Sequence, residues 1–333
     1  MLKASFEPYT LHFKETAITS RSHMDVKETF IVKVWDEEVP DVVGMGECAI
    51  FRGLSAEDTP GYEDILDEAC RNPSALPPVS SIRFGFETAI ADLRNGGTGR
   101  FVDNGFTRGE TPLVINGLIW MGDKRTMKHR IRQKLDSGFR CVKLKIGGID
   151  FNDELDLLGS IRDEFSVSDV ELRVDANGAF TPANAMERLE RLSELELHSI
   201  EQPIRQGQWE EMALLCSRSP VPIALDEELI GLRSDEEKEH LLDEIRPQYI
   251  ILKPSLCGGF TEADKWIEIA GKRHIGWWAT SALESNVGLG AIAQWVSRYS
   301  PAMPQGLGTG ALYTNNFPSL LWLDGDKLYF KQI

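Results

Sequence analysis

From about residue 111 the chain settles into a rhythm. Short runs of apolar and β-branched residues alternate with stretches whose apolar positions recur every three or four residues, each pair filling about 25 to 30 positions. The strand-like runs are Leu113–Leu118, Val142–Ile146, Glu171–Val174, Ser199–Ile200, Ile223–Leu225, Tyr249–Leu252, Gly276–Ala279 and Gly306–Gly308. Between them lie helix-like segments: Asp153–Phe165, Pro182–Leu195, Trp209–Cys216, Glu236–Ile245, Glu262–Ala270 and Val287–Trp295. Eight buried strands with crossovers of this length predict an α/β fold of the (β/α) barrel type. An open doubly wound sheet gives a similar alternation, but the near-constant period and eight repeats favour the barrel. The first hundred residues read differently. Alternating runs at Phe6–Phe13, Thr29–Trp35 and Val42–Ala49 predict an antiparallel meander, followed by helices near Tyr62–Cys70 and from Ser80 towards Asn95. That is a small α+β unit, and the final Leu321–Phe330 stretch is expected to pack back on it.

The chemistry lies at the ends of the barrel runs. The second contains Lys143 and Lys145, which share a face of a strand because side chains alternate with period two. Taken alone, such a pair also fits an edge strand with a solvated lysine face. The third run ends in Val174-Asp175-Ala176-Asn177, the fourth in Ile200-Glu201-Gln202-Pro203, the fifth in Leu225-Asp226-Glu227-Glu228 and the sixth in Leu252-Lys253-Pro254. Lys145, Asp175, Glu201, Asp226 and Lys253 are thus spaced 30, 26, 25 and 27 residues apart, one repeat each. Equivalent positions of successive strands ring the C-terminal mouth of a barrel, where barrel active sites are built. Three carboxylates held together repel unless a cation joins them, and all-oxygen ligation selects a hard ion such as Mg²⁺. A lysine beside that cation loses basicity and can act as a base near neutral pH, while the metal neutralises an oxyanion. The plain alternative is that Asp175 and Asp226 merely cap the following helices.

Bulk properties narrow the partners. With 36 basic and 52 acidic side chains the net charge is −16, which argues against nucleic acid or an anionic membrane surface but leaves room for a basic pocket and an anionic small molecule. The five cysteines are scattered without a C-x-x-C spacing, as in a reduced intracellular chain. No apolar run approaches the ~18–20 residues of a membrane span, and the N-terminus does not read as a signal peptide. A cytoplasmic protein is expected, and the pattern carries no signal for its oligomeric state.

Smaller signals stay open. Gly306-Leu307-Gly308-Thr309-Gly310 lacks the spacing of a phosphate loop and reads as a tight loop lining the mouth. Ser281 and Glu284 either hold an anion at a helix N-terminus or cap it. Arg52 either clamps a carboxylate from the first unit or is solvated. Asn177 and Gly306 complete the set of substrate-lining candidates.

With these residues assembled, the chain resembles the enolase superfamily in its muconate-lactonizing branch over essentially its whole length. The matching motifs are K-x-K at Lys143 and Lys145, V-D-A-N at Asp175, I-E-Q-P at Glu201, D-E at Asp226 and L-K-P at Lys253. The resemblance implies an α+β capping domain (residues 1–105) over a modified TIM-type barrel (106–320), with 321–333 returning to the cap. It also implies a divalent metal, Mg²⁺ or alternatively Mn²⁺, on Asp175, Glu201 and Asp226. Phe51-Arg52-Gly53-Leu54-Ser55, Leu256-Cys257-Gly258-Gly259-Phe260, Ser281 to Gln294 and Tyr313-Thr314-Asn315-Asn316 are similar to the members that dehydrate 2-succinyl-6-hydroxy-2,4-cyclohexadiene-1-carboxylate. In such an enzyme Lys145 would move the proton, Lys253 would stabilise charge from the opposite face, and Lys143 would tune Lys145. The rivals are a two-base racemase of N-succinylamino acids or a dipeptide epimerase, and a ligand-binding barrel without catalysis. Gly308-Thr309-Gly310 stands where dipeptide epimerases carry D-x-D, which counts against a dipeptide substrate.

Overall fold

The computed structural model describes residues 1–18 and 23–331. Its N-terminal unit is an antiparallel sheet of β1 (Leu2–Ile18), β2 (His23–Asp36) and β3 (Val39–Cys48), covered by α1 (Tyr62–Arg71) and α2 (Ser80–Arg94). Phe30, Val32 and Val34 alternate along β2 into a core shared with Leu66 and Phe86. The sheet and α2 touch backbone to backbone. A Cβ on Gly46 would lie 1.9 Å from the Gly85 carbonyl oxygen, so only glycine permits this approach.

The rest of the described chain runs β4 (Leu113–Val114), β5 (Gly117–Ile119), α3 (Lys124–Asp136), β6 (Cys141–Lys145), α4 (Phe151–Arg162), β7 (Glu171–Asp175), α5 (Pro182–Ser193), β8 (Ser199–Glu201), α6 (Trp209–Arg218) and β9 (Ile223–Leu225). A short 3₁₀ turn (Glu227–Leu229) follows, then α7 (Asp235–Ile245), β10 (Tyr249–Leu252), α8 (Gly259–Gly271), β11 (Gly276–Ala279), α9 (Asn286–Ser297), β12 (Leu321–Asp324) and β13 (Lys327–Phe330). Strands β5 to β11 form one parallel sheet in sequence order, as a barrel requires. The strands are short and apolar because both faces are covered, by the helices outside and by the opposing strands inside.

Three expectations are corrected. The first barrel run is split: β4 leaves the parallel sheet to pair antiparallel with β13, and only β5 joins β6. The eighth run forms no ladder. Gln305 bridges to Ile115 and Gly306 to Thr280, both parallel, so single residues close the barrel. The preceding Pro304 has no N–H to offer, and Gly306 and Gly308 bring no side chain to stabilise a strand. The C-terminal hairpin, expected against the capping unit, has its ladder with β4, and Phe330 meets the Phe106 ring at 5.9 Å between centroids. Its apolar residues Leu321, Leu328 and Phe330 belong to the same core as the barrel. Helix α3 was not among the expected elements. Only Met127 and Ile131 on it are buried, too few for a clear stripe, and Asp123 caps it by accepting from the Thr126 N–H at 2.7 Å.

Candidate active site

Strand β6 lies between β5 and β7 with all five residues buried, which removes the edge-strand reading of Lys143 and Lys145. Ladder pairing sets Lys145 beside Asp175 and Asp175 beside Glu201. Beyond this the register shifts: Glu201 pairs with Ala224, two residues before Asp226, and Leu225 pairs with Ile250, which sets Lys253 further along again. These even offsets are the stagger of tilted barrel strands. They keep Asp226 and Lys253 facing the same mouth although they are not ladder neighbours of the other three.

The structure brings the three lysines and three carboxylates together. Lys145 Nζ donates to Asp175 Oδ2 at 2.5 Å and to Asn177 Oδ1 at 2.8 Å. Lys143 donates to Glu201 and lies 3.0 Å from Asp175 Oδ2; Lys253 donates to Asp226. Asp175 Oδ1 accepts from the Asn177 N–H at 3.0 Å, and Asn177 takes a left-handed conformation (φ 45°) that Asn tolerates better than most residues. The capping alternative for Asp175 and Asp226 is not realised. Helix α5 starts at Thr181, whose N–H donates to Asn184 Oδ1, and α7 starts at Ser234 in a capping box with Glu237.

Burial works against charge on Asp175, Glu201, Lys143 and Lys253, and their neighbours decide the outcome. Burial opposes ionisation of Asp175, yet the ammonium groups of Lys143 and Lys145 outweigh it and hold this carboxyl well below the usual range. Burial and then the Asp175 charge push Glu201 well above that range. For Lys143 and Lys253 burial is outweighed by the facing carboxylates, chiefly Asp175 and Glu201 for the first and Asp226 for the second, so both bind their proton more tightly than usual. Lysine charge therefore satisfies Asp175 but leaves Glu201 in deficit.

That deficit is where a cation fits. Glu201 Oε1 is buried without a hydrogen-bond partner. Among the described residues no three acidic, histidine or cysteine side chains already form a cage, because the carboxylates are turned to the lysines. The donor set of Asp175, Glu201 and Asp226 is nevertheless all oxygen, on adjacent strands, and suits a hard divalent ion.

Above this cluster two connected spaces open. A recess of about 60 Å³ is lined by Asn116, Trp120, Lys143, Lys145, Lys253, Thr280 and Gly306. It shares Trp120, Lys145, Lys253, Ser281 and Leu283 with a cavity of about 210 Å³ roofed by Phe51, Arg52 and Leu54 of the N-terminal unit. Lys145 and Lys253 therefore face one space. Ser281 reaches it and does not cap α9, since Ser285 does so by accepting from the Val287 N–H. Arg52 also lines the cavity, but its guanidinium is engaged by Glu28 at 3.0 Å and Asp58 at 2.9 Å. Gly306 contributes backbone only: its N–H donates to the Ala279 carbonyl, and a Cβ there would lie 2.4 Å from Thr280 Oγ1. Trp120, Leu283 and Glu227 line the pocket without having been singled out. Trp120 and Glu227 had a signal, since one follows the first barrel strand as the carboxylates follow theirs, and the other adjoins Asp226.

A barrel mouth with carboxylates on three successive strands and lysines on either side defines a class, and the comparisons agree. Residues 126–316 match the model of the enolase C-terminal domain-like family, and the chain belongs to the enolase superfamily, whose members use a divalent metal. The chain is 47% identical to the o-succinylbenzoate synthase of Desulfotalea psychrophila over 98% of each chain. The crystal structure of MenC from D. psychrophila LSv54 superposes with a TM-score of 0.86 at 46% identity, covering 98% of this chain and 99% of that one. An N-succinylamino acid racemase of Thermus thermophilus is 30% identical over 58% of this chain and 47% of its own length.

Proposed function

We propose that the chain catalyses the dehydration of 2-succinyl-6-hydroxy-2,4-cyclohexadiene-1-carboxylate to o-succinylbenzoate, a hydro-lyase reaction of menaquinone biosynthesis. The near full-length likeness to a synthase of this product carries the reading. In it, residues 1–105 cap the pocket and 106–320 carry the chemistry. Lys145 Nζ, held by Asp175 and Asn177, takes the proton from the ring carbon that bears the carboxylate. The same ammonium then returns a proton to the hydroxyl leaving from the adjacent carbon on that face. One C–H and one C–O bond break, a ring double bond forms, and water departs. Lys253, which lines the same cavity, stays protonated and faces the negative charge that develops. Asp226 and Glu201 favour that protonated state. Lys143 bridges Asp175 and Glu201 and keeps the two carboxylates close. Asp175, Glu201 and Asp226 would hold a divalent ion, which we assign as Mg²⁺ with Mn²⁺ as a substitute, and it would supply positive charge near the substrate carboxylate. Arg52, Ser281, Asn177 and the Gly306 backbone shape the substrate's surroundings. The free state of all five cysteines supports a cytoplasmic location.

Incubation of the cyclohexadiene with enzyme and Mg²⁺ should produce the ultraviolet spectrum of the aromatic product. No such signal at micromolar enzyme sinks the reading. A second activity, racemization of N-succinylamino acids, is favoured by the two lysines facing one space. Its check is α-deuterium incorporation into these substrates in D₂O.

A further inference from the structure

Lys27 is the least expected charge in the molecule. It lies on β2 beside Leu11 of β1, is 6% exposed, and its Nζ has no hydrogen-bond partner among the described residues. An ammonium buried in this way needs opposing charge nearby. Two carboxylates act on it, Glu47 of β3 and Glu284 of the barrel loop before α9, and both are fully buried.

Each carboxylate grips the loop that walls the pocket. Glu47 accepts from Thr29 Oγ1 within its own sheet at 2.8 Å. Across the domain boundary it accepts from the Ser285 N–H at 3.0 Å, Ser285 Oγ at 2.6 Å and the Gly288 N–H at 3.0 Å. It thereby places a negative charge at the N-terminus of α9 from another part of the chain. The approach depends on Gly288, where a Cβ would lie 2.8 Å from Glu47 Oε2. Glu284 accepts from Ser255 Oγ at 2.5 Å and from the Ala282 N–H at 2.7 Å. Between these anchors Leu283 sits at φ 63°, a conformation that a leucine adopts only when its surroundings impose it. The Tyr313 hydroxyl holds its carbonyl at 2.6 Å. Ser281, Ala282 and Leu283 are the residues that this loop presents to the cavity.

We propose that Lys27 and Glu47 of the N-terminal unit position the Ser281–Leu283 wall of the barrel pocket, so that the cap sets substrate affinity through buried charge behind the wall. Lys27 touches neither the cavity nor the reacting groups; it is a positioning residue. Burial raises the Glu284 carboxyl, the Lys27 ammonium opposes that rise, and the Glu47 charge adds to it. Without the ammonium two buried carboxyls face each other with no cation between them, and the loop they hold must yield. The inference uses the synthase reading of the site only for its kinetic assay.

Lys27→Met should raise KM for the cyclohexadiene about tenfold while kcat stays within about threefold. Lys27→Met/Glu284→Gln removes one of the two facing carboxyls and should recover most of the affinity. In amide hydrogen exchange, Lys27→Met should lose protection across 282–288 while β6 to β8 keep theirs. A lower melting temperature with unchanged KM and unchanged exchange at 282–288 overturns the proposal, as does failure of both variants to fold. If the wild-type chain produces no aromatic product, the synthase reading fails, and the exchange experiment still decides this inference.

Discussion

Two regions inside the same barrel bury charge with opposite results. Arg173 and Asp175 are two residues apart on β7 and so point to the same side. Arg173, towards the closed end, is 1% exposed and lies over the Trp278 ring at 4.3 Å. It donates to Glu171 at 2.7 Å and to the Pro304 carbonyl at 3.0 Å. Around it Ala224, Ile251, Trp278, Tyr249 and Met303 pack into a plug. At the open end Asp175 stands among three lysines and two further carboxylates under a cavity, and Glu201 keeps an oxygen without a partner. Burial alone therefore does not mark function. The closed end holds its charge against Glu171, an aromatic face and a carbonyl, with Nη2 alone left without a hydrogen bond among the described residues and no space beside it, whereas the mouth gathers six opposed charges beside space for a ligand.

The contrast can be tested from both ends. Lys145→Ala should lower kcat by about 10²- to 10⁴-fold while calorimetry still detects the divalent ion; a fully active variant would falsify its role as the base. Arg173→Met, at the closed end, should destabilise the fold by about 3 kcal/mol in denaturant unfolding, since Glu171 loses its partner, and leave kcat within about threefold. A large loss of kcat without loss of stability would erase the distinction between the ends. Glu201→Gln should weaken divalent-ion binding by at least about tenfold and raise the melting temperature of the metal-free protein, because burial and the Asp175 charge make an acid costly at this position. No change in either measurement would mean that the unpartnered oxygen carries no functional strain. The smallest effect concerns His198 near the plug, 4.9 Å from the Tyr249 ring. Burial lowers its pKa below 6.5, so its neutral form favours folding; that contribution is fully present above pH 6.5 and is lost as pH falls below it. His198→Gln should make stability slightly less sensitive to pH below about 6.5, read from unfolding midpoints.

Much of this was legible in the residues. The period of the apolar runs gave the barrel, and the ends of five of its strands gave the lysines and carboxylates, because a barrel turns a sequence repeat into a ring. The two ends of that repeat were misjudged. One strand was drawn off by β13, a pairing between residues some two hundred positions apart, and the eighth reduced to bridges because Pro304, Gly306 and Gly308 cannot build a ladder. Arg52 and Ser281 could not be assigned from their neighbours in sequence. Glu28 and Asp58 engage the first, and the loop before α9 turns the second into the pocket. Lys27 and Glu47 gave no signal, because alternating polar residues on a strand read as its solvated face.

By itself the sequence determined the fold class and the composition of the mouth, since both follow from local periodicity and from what a strand end must present. Tertiary structure decided which charges balance. Whether a lysine is a surface group, a proton carrier or the counter-charge behind a pocket wall depends on the carboxylates within a few ångströms of it. Those come from strands and domains far away in the chain, and electrostatic energy depends on distance in space.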